Sequence, residues 1–255
     1  MTTTIAICVQ KGGTGKTTAT LQLSDALARM KRRVLVIDLD PQSNASTVLS
    51  RVSPSLLANT TKELLLDPDT SVADCIQESQ FEGVDIVCSN IKLARSEPEL
   101  IRRNTTILAK RLRVLEGVYD YILLDCPPTL GRLTGNALCA ADYYLIPIKG
   151  GDQFALDGLD DLNGFANEAR MDNENLRMLG VFFNMFDGRP KVAQLIEAEA
   201  REQFGNHMFT QNIPQSAVFM NSVAARQSVF ALDPYSQGAR KFKLLAREVV
   251  ARVEG

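Results

Sequence analysis

Short apolar runs alternate along the chain with longer segments whose apolar residues recur at helical spacing, and this alternation limits the possible folds. Several of the runs are apolar throughout, as in parallel strands that helices cover on both faces. The predicted strands are residues 5–9, 34–38, 84–88, 121–125, 143–148 and 179–184, with a short seventh at 208–213. We therefore expect an α/β fold, a predominantly parallel twisted sheet flanked by helices on both faces.

The segments of helical period predict five longer helices, at residues 16–31, 97–116, 156–170, 190–204 and 236–253. Residues 43–82 are less regular and contain Pro54 and Pro68, so we expect loops and short helical patches there rather than a separate domain. The chain has 255 residues and shows no internal repeat or long linker. An α/β fold of this length is commonly one domain, and we expect a single domain over residues 1–255.

Composition excludes several classes of protein and site. No apolar run approaches the roughly 18 residues of a membrane span, and the N-terminus lacks the pattern of a signal peptide, so we expect a cytoplasmic protein. The five cysteines form no C-x-x-C pair, which favours reduced, buried thiols over disulfides or zinc ligands. His207 is the only histidine, which excludes His-based triads. The net charge of −2 means that any nucleic-acid binding needs a local basic patch.

A glycine-rich loop, Q-K-G-G-T-G-K-T-T at residues 10–18, lies between the first predicted strand and the first predicted helix. A loop in this position aims backbone N–H groups at a phosphate, while Lys16 reaches the β/γ-phosphates and the Thr17 hydroxyl ligates Mg²⁺. The usual pattern, G-x-x-x-x-G-K-[ST], has glycine where this chain has Gln10, and Lys11 is a second lysine. Because two lysines on one phosphate chain would crowd like charges, we expect Lys11 to reach a nucleotide on a second subunit.

Two other predicted strands end in carboxylates. Residues 34–42, V-L-V-I-D-L-D-P-Q, contain Asp38 and Asp40, and residues 121–128, Y-I-L-L-D-C-P-P, contain Asp125. In open parallel sheets ligands bind beyond the carboxyl ends of the strands, so these motifs should converge. Asp125 is placed to hold Mg²⁺ directly or through water, and Asp40 to orient the attacking water. For Asp38 we weigh a bond to Mg²⁺-bound water or to the loop against a helix cap.

These three motifs, in this order and spacing, resemble the ParA/MinD group of deviant Walker ATPases, and most closely its short, Soj-type ParA partition ATPases. The resemblance extends to S-N-I-K-L-A-R-S-E-P at 89–98 and V-F-A-L-D-P-Y-S-Q-G-A at 229–239. It implies a P-loop ATPase that uses ATP and Mg²⁺, forms an ATP-sandwich homodimer and binds double-stranded DNA without sequence preference. A ParB-like or cargo-adaptor protein would stimulate its slow hydrolysis, to segregate or position a plasmid, chromosome or large protein assembly. Such a protein is nucleoid-associated in its ATP state.

The resemblance also implies roles for single residues. Lys11 matches the lysine that acts across the dimer, and Asn184 and Pro214 match positions beside the adenine, although a buried amide that bonds backbone is the alternative for Asn184. The implied catalytic residues are Lys11, Lys16 and Asp40, and the implied Mg²⁺ ligands are Thr17, Asp40 and Asp125. The implied nucleotide contacts are Lys11, Gly12, Gly13, Thr14, Gly15, Lys16, Thr17, Thr18, Asp125, Asn184 and Pro214.

One departure affects the expected DNA contact. Family members commonly continue Ile-Pro-Arg with a further basic residue, whereas residues 213–220 here read I-P-Q-S-A-V-F-M. Val218, Phe219 and Met220 form either core packing or an apolar contact with a partner. We therefore expect other basic residues to contact DNA, namely Arg189, Arg226, Arg240, Lys241, Lys243 and Arg247.

Three other functions share some of these features. A MinD-like role at a membrane surface would use the basic amphipathic segment 239–253, but its stripe of Phe242, Leu245, Val249 and Val253 suits docking on the sheet, and we expect no membrane partner. A metal-cluster carrier would need closely placed bridging cysteines, which the spacing does not provide. A scaffold that binds ATP with negligible hydrolysis would not need Asp40.

Overall fold

The computed structural model describes residues 1–152 and 158–255. The strands of this part of the chain form one sheet in the order β3-β4-β2-β5-β1-β6-β7, in which only β3 is antiparallel to its neighbour. The strands are β1 (Thr3–Ile7), β2 (Val34–Asp38), β3 (Ile76–Glu78), β4 (Val84–Val87), β5 (Tyr121–Asp125), β6 (Tyr143–Lys149) and β7 (Arg177–Asn184). The predicted fold class is confirmed.

Helices connect the strands, and 3₁₀ turns occur at Pro54–Leu56, Arg113–Leu115 and Gly205–His207. The helices are α1 (Lys16–Arg29), α2 (Asn44–Leu49), α3 (Thr61–Leu66), α4 (Val72–Cys75), α5 (Lys92–Arg95), α6 (Glu97–Ile101), α7 (Ile107–Leu112), α8 (Arg132–Ala140), α9 (Gly158–Ala169), α10 (Lys191–Phe204), α11 (Ala217–Ala224), α12 (Val229–Leu232) and α13 (Gln237–Glu254). No helix in the described ranges combines the length and the apolar character needed to cross a bilayer.

The core lies in two layers because successive side chains of a strand point to opposite faces of the sheet. In β2, Val34 and Val36 belong to one apolar cluster, and Leu35 and Ile37 belong to the other. The cluster that contains Val34 is covered by α1 and α13, and the opposite cluster is covered by α7 to α10. Buried strands of this kind fix the positions of the loops at the carboxyl edge of the sheet, where ligands bind in folds of this class.

The predicted seventh strand at residues 208–213 is wrong. Met208 makes only an isolated bridge to Val181, and the segment runs irregularly beside β7. The remaining strand is instead β3, within the stretch 43–82 where we expected loops. Its three residues are only half-buried or exposed, so the sequence contains no apolar run that would predict this strand. A short antiparallel strand at the edge of a sheet is stabilised by its neighbour rather than by its own pattern.

The predicted helix at residues 97–116 is also wrong in its continuity. It is divided into α6, α7 and a 3₁₀ turn, because the Asn104 side-chain oxygen accepts hydrogen bonds from both the backbone N–H and the hydroxyl of Thr106, at 2.9 Å each. Such local bonds compete with helical ones. The helix α8 was not predicted, because its Thr134 and Gly135 are weak helix formers. The helix predicted at 156–170 is α9, and the predicted start of that helix lies outside the described residues.

The C-terminal helix docks as its spacing predicts. Phe242, Leu245 and Val249 of α13 are fully buried in the cluster shared with α1, and Val253 packs against that cluster. Near the helix, Phe219 is 8% exposed and meets Phe242 edge to face, whereas Met220 is 72% exposed.

All five cysteines are buried and unpaired. The prediction of reduced, buried thiols is confirmed.

Candidate nucleotide-binding site

The glycine-rich loop joins β1 to α1 at the carboxyl edge of the sheet. Gly13 and Gly15 have φ of 72° and 84°, the left-handed region that glycine enters at little cost. Gly15 is also the N-cap of α1, and it offers no side chain to the free N–H groups of the first helical turn. A Cβ built at Gly12 or Gly13 would meet no atom within 4 Å. The loop is therefore an open cradle lined by backbone donors.

Lys16 lies within this cradle and is only 7% exposed. Its ammonium group donates a hydrogen bond to the backbone oxygen of Lys11 at 2.9 Å. Burial lowers the pKa of Lys16, and the negative charge of Asp125 partly offsets that effect. A buried ammonium group with one neutral acceptor favours an anionic ligand, because desolvation of the charge is then compensated by a full opposite charge.

Thr17 and the buried carboxylate Asp125 form the second part of the site. The Thr17 hydroxyl donates to Asp125 Oδ2 at 2.8 Å, and the Thr20 hydroxyl donates to Asp125 Oδ1 at 3.0 Å. Asp125 ends β5 and is aligned with Ile7 of β1 on one side and with Asp38 of β2 on the other. The strand register therefore holds the hydroxyl, the carboxylate and the loop together.

Asp38 holds the loop that carries Asp40. Asp38 Oδ1 accepts the backbone N–H of Asp40 at 3.0 Å, and Asp38 Oδ2 accepts the backbone N–H and hydroxyl of Ser46 at 2.8 and 2.6 Å. Ser46 lies in the first turn of α2, so Asp38 satisfies a free donor of that helix, the capping alternative of the sequence analysis. Asp40 Oδ1 accepts the backbone N–H of Gln42 at 2.9 Å, and Asp40 is 8% exposed. The position of Asp40 is thus fixed from both sides.

Burial raises the pKa of both Asp38 and Asp125 above the ordinary carboxyl value. For Asp125, repulsion from Asp38 adds to the effect, and the hydrogen bonds from Thr17 and Thr20 reduce it. For Asp38, the hydrogen bonds from Ser46 reduce the effect of burial. Two buried acids at adjacent strand ends are costly to ionise together, and a cation between or beside them removes that cost.

These residues fit a nucleotide with Mg²⁺. The open cradle and the uncapped N-terminus of α1 suit phosphate oxygens, and Thr17 and Asp125 are hard oxygen ligands. Within the described ranges, no group of three or more Asp, Glu, Cys or His side chains is arranged to hold a metal ion. Mg²⁺ is commonly held by one or two carboxylates, with phosphates and water as the remaining ligands, so the residues present meet its requirements.

Lys11 points away from the cradle. Its ammonium group forms an ion pair with Asp152 Oδ2 at 2.5 Å, and the two side chains are 41% and 18% exposed. Asp152 follows β6, the neighbour of β1 in the sheet. The two loop lysines therefore have different surroundings, since Lys16 is enclosed by the loop and Lys11 is directed to its outer side.

Asn184 and Pro214 lie at the same end of β7. The Asn184 amide donates to the backbone oxygen of Thr14 at 2.9 Å, so in this structure it holds the loop, the alternative that the sequence analysis left open. Pro214 forms a bridge with Phe186, two residues beyond Asn184. The tertiary structure thus brings these two residues together beside the cradle, and their contact with adenine stays a prediction.

The six basic residues predicted to bind DNA are not all in one place. Arg226, Arg240 and Lys243 line a common groove at the amino ends of the strands. Arg247 is exposed on the same helix as Arg240 and Lys243, whereas Lys241 bonds the Gln211 side chain at 3.1 Å. Arg189 forms an ion pair with Asp187 at 2.6 Å, before α10.

Sequence reasoning missed three residues of the site. Thr20 binds Asp125 from one helical turn beyond Thr17, a spacing that could have been recognised from the helix period. Ser46 and Asp152 are distant in sequence from the groups they bind. Only the folded chain brings these two into contact with the site.

Comparison with known proteins agrees with this geometry. A family model described as an AAA domain matches residues 2–178. The chain is 34% identical over 250 residues to the sporulation initiation inhibitor protein Soj of Bacillus subtilis, covering 97% of this chain and 98% of that one. It is 33% identical over 255 residues to the chromosome-partitioning ATPase Soj of Thermus thermophilus, covering 98% and 96%.

Among solved structures, cobyrinic acid a,c-diamide synthase from Mycobacterium smegmatis with bound ADP and magnesium has a TM-score of 0.86 and 27% identity. That match covers 100% of this chain and 96% of the other. The same enzyme was also solved with an ATP analogue and magnesium. The family model covers more than half of the chain, and both Soj relatives exceed 30% identity over nearly all of it. The chain therefore belongs to the ParA/MinD family of deviant Walker ATPases.

Proposed function

We propose that the protein is a ParA-type positioning ATPase. It binds ATP with Mg²⁺, forms an ATP-sandwich homodimer, and binds double-stranded DNA without sequence preference in that state. A ParB-like or cargo-adaptor protein stimulates its otherwise slow hydrolysis and so releases it from the nucleoid. The observation that carries the proposal is the convergence of Lys16, Thr17, Asp125 and Asp40 at one sheet edge, with Lys11 on the outer side of the same loop. The name of the Thermus thermophilus relative, a chromosome-partitioning ATPase, supports a role in segregation of chromosomes.

Binding of the nucleotide uses groups that are already in position. The N–H groups of the first turn of α1 and the Lys16 ammonium bind the phosphates. Thr17 and Asp125 hold Mg²⁺, which neutralises charge on the phosphate oxygens when it is bound. Asp125 would then be ionised, because a bound cation would offset the burial and the repulsion from Asp38 that raise its pKa.

Hydrolysis needs an oriented water and compensation of charge in the transition state. Asp40 accepts a hydrogen bond from the water and directs its lone pair at the γ-phosphate. The bonds from Asp38 and Gln42 fix Asp40, so little reorganisation is required. Lys11 exchanges its ion pair with Asp152 for the phosphates of the partner subunit, so that one subunit completes the site of the other.

The testing experiment measures molar mass by light scattering and binding of an arbitrary DNA duplex by fluorescence anisotropy. Each is measured without nucleotide, with ADP-Mg²⁺ and with ATP-Mg²⁺, at one fixed salt concentration. We expect a dimer and DNA binding only with ATP-Mg²⁺. A monomer in all three states contradicts the proposed dimer, and a dimer that binds vesicles but not DNA indicates a membrane-surface ATPase instead.

Two variants separate the parts of the mechanism. Lys11→Ala should retain ATP binding and lose the ATP-dependent dimer, because its phosphate contact is made across the interface. Asp40→Ala should still form the dimer, and its rate of ATP hydrolysis should fall by about 100-fold or more, since only the group that orients water is removed. A dimer in Lys11→Ala, or wild-type turnover in Asp40→Ala, contradicts the assigned role.

A further inference from the structure

A second concave surface lies at the amino ends of the strands, away from the glycine-rich loop. It has a volume of about 1420 Å³ and lies between the end of α1, the turn before β4 and the chain from the end of α11 to the start of α13. Seven cationic and three acidic side chains line it, a surplus of four positive charges on a chain whose net charge is −2. We call this surface the basic groove and define it by Arg29, Lys31, Arg226, Arg240 and Lys243.

Three cations of the basic groove are available to a ligand. Lys31, Arg240 and Lys243 are exposed, and in the described part of the chain none of their side chains has a hydrogen bond or ion pair to another residue. Arg240 and Lys243 are three residues apart on α13 and therefore lie on one side of that helix. Lys31 comes from a different segment, directly after α1. The fold thus gathers free positive charge that the sequence distributes over more than 200 residues.

Two cations of the basic groove have a left-handed backbone conformation. Lys31 and Arg226 have φ of 64° and 51°, a conformation that glycine adopts readily and other residues adopt at a cost. In the described ranges only Ser43 and Met185 are further non-glycine residues with positive φ, and both adjoin the candidate nucleotide-binding site. Lys31 and Arg226 each directly follow the C-cap of a helix, α1 or α11, where a left-handed residue commonly ends the helix. At both positions a cationic side chain stands where glycine would adopt the same conformation at less cost.

We infer that the basic groove binds the phosphate backbone of duplex DNA, and this inference rests on the proposed function, whose DNA contact it locates. Contacts with phosphates need exposed cations and no base-specific geometry, so they suit binding without sequence preference. An acidic peptide would in addition need an apolar anchor. Phe81 and Phe230, which line the basic groove, are only 6% and 8% exposed and belong to the core. Tyr235 and Val118 are exposed apolar side chains of the same lining, so an acidic peptide is the competing ligand that the test separates from DNA.

The position of the basic groove leaves the nucleotide-binding edge free for a second subunit. α1 has 14 residues, so about 20 Å of helix separates Lys16 at its first residue from Arg29 at its last. A dimer formed through the carboxyl edge carries two basic grooves. Two linked grooves bind long DNA more tightly than one, which couples DNA affinity to ATP without a change in shape of the basic groove.

The test uses the double variant Arg240→Ala/Lys243→Ala in the full chain, with ATP-Mg²⁺ and an arbitrary labelled duplex. The matched control is Lys92→Ala/Arg95→Ala, which removes two exposed cations with the same spacing from α5, outside the basic groove. We expect the groove variant to weaken binding by about tenfold or more and to reduce the slope of log K against log salt by about four, two for each groove of the dimer. The control should bind as the wild type does, and both should keep the wild-type ATPase rate.

A second variant separates a loss of contact from a loss of structure. Lys31→Gly removes a cation and relieves positive φ, so its melting temperature should be no lower than that of the wild type while its DNA affinity falls. If Lys31 had only a structural role, Lys31→Gly would lower the melting temperature and the DNA affinity together, or would lower neither.

The outcomes distinguish this inference from the proposed function. If the wild type binds duplex with ATP and the groove variant binds equally well with the same salt slope, the location is wrong and the proposed function stands. If the α5 control loses affinity instead, the location is again wrong. If the wild type binds no duplex in any nucleotide state, both fail. If polyglutamate binds and duplex does not, the basic groove is a peptide surface.

Discussion

The two ends of helix α1 have opposite electrostatic surroundings. At its first residue, Lys16 is buried near Asp125, which the strand register aligns with Asp38, and burial raises the pKa of both acids. Beyond its last residue, Lys31 is exposed in a groove with a surplus of positive charge. Charge at the first end is costly until a ligand compensates it, whereas charge at the second end is solvated and available. The helix α1 therefore connects a buried site, whose charges need a bound ligand, to an exposed surface, whose charges are already solvated.

The largest expected effect is at the buried end of α1. Lys16→Ala should weaken ATP binding by at least about 100-fold, because a charge-assisted bond to phosphate is worth about 3 kcal/mol. Without nucleotide its melting temperature should equal or exceed that of the wild type, since nearby negative charge compensates the burial of the ammonium group only in part. Isothermal titration calorimetry and thermal denaturation measure the two quantities. Normal ATP affinity in this variant would contradict the site.

Glycines with positive φ at the two edges of the sheet allow a matched comparison of backbone constraints. A Cβ at Gly15 would lie 2.1 Å from the Asn184 amide nitrogen, whereas one at Gly117, before β5, would meet nothing within 4 Å. Gly117→Ala should cost about 1 kcal/mol for the left-handed backbone alone. Gly15→Ala should cost about 2 kcal/mol more, because the buried amide loses its bond to Thr14. Equal free energies of unfolding in urea would contradict the contact.

The buried acids predict how the stability of the nucleotide-free protein depends on pH. A carboxyl group whose pKa is raised by folding stabilises the native state at low pH, and this contribution is lost as pH rises through the raised pKa. The contribution of these two acids to the free energy of unfolding should therefore fall as pH rises above the ordinary carboxyl value of 3.8. Asp125→Asn should reduce this dependence and stabilise the apoprotein by about 1 kcal/mol near neutral pH. Parallel curves for the variant and the wild type would show that Asp125 is not the cause.

The smallest expected effect concerns an exposed ion pair at the amino edge. Arg33 and Asp120 lie 3.0 Å apart with side chains 57% and 30% exposed. Asp120→Asn should change the free energy of unfolding by less than about 1 kcal/mol, with a still smaller effect at high salt. A larger, salt-independent loss would mean that the amino edge, too, depends on fixed charge pairs.

The sequence predicted some elements of the fold more accurately than others. The strands β2 and β5 have the predicted bounds, because each is an uninterrupted apolar run that ends in an acid. The break between α6 and α7 was not predicted, because it depends on a side-chain bond of Asn104 that competes with a regular helical pattern. The three-residue strand β3 was missed because its pattern is too short to exceed that of a loop.

The sequence alone determined the loop, the acids at the strand ends and their meeting at one edge, because these follow from short-range pattern and the rules of parallel sheets. Only the tertiary structure decided that Asp152 is the partner of Lys11 and that Asn184 bonds the loop. It alone gathered Lys31, Arg240 and Lys243 into one groove. These contacts join residues far apart in the chain, and their distances are set by the packing of whole helices and strands rather than by any local pattern.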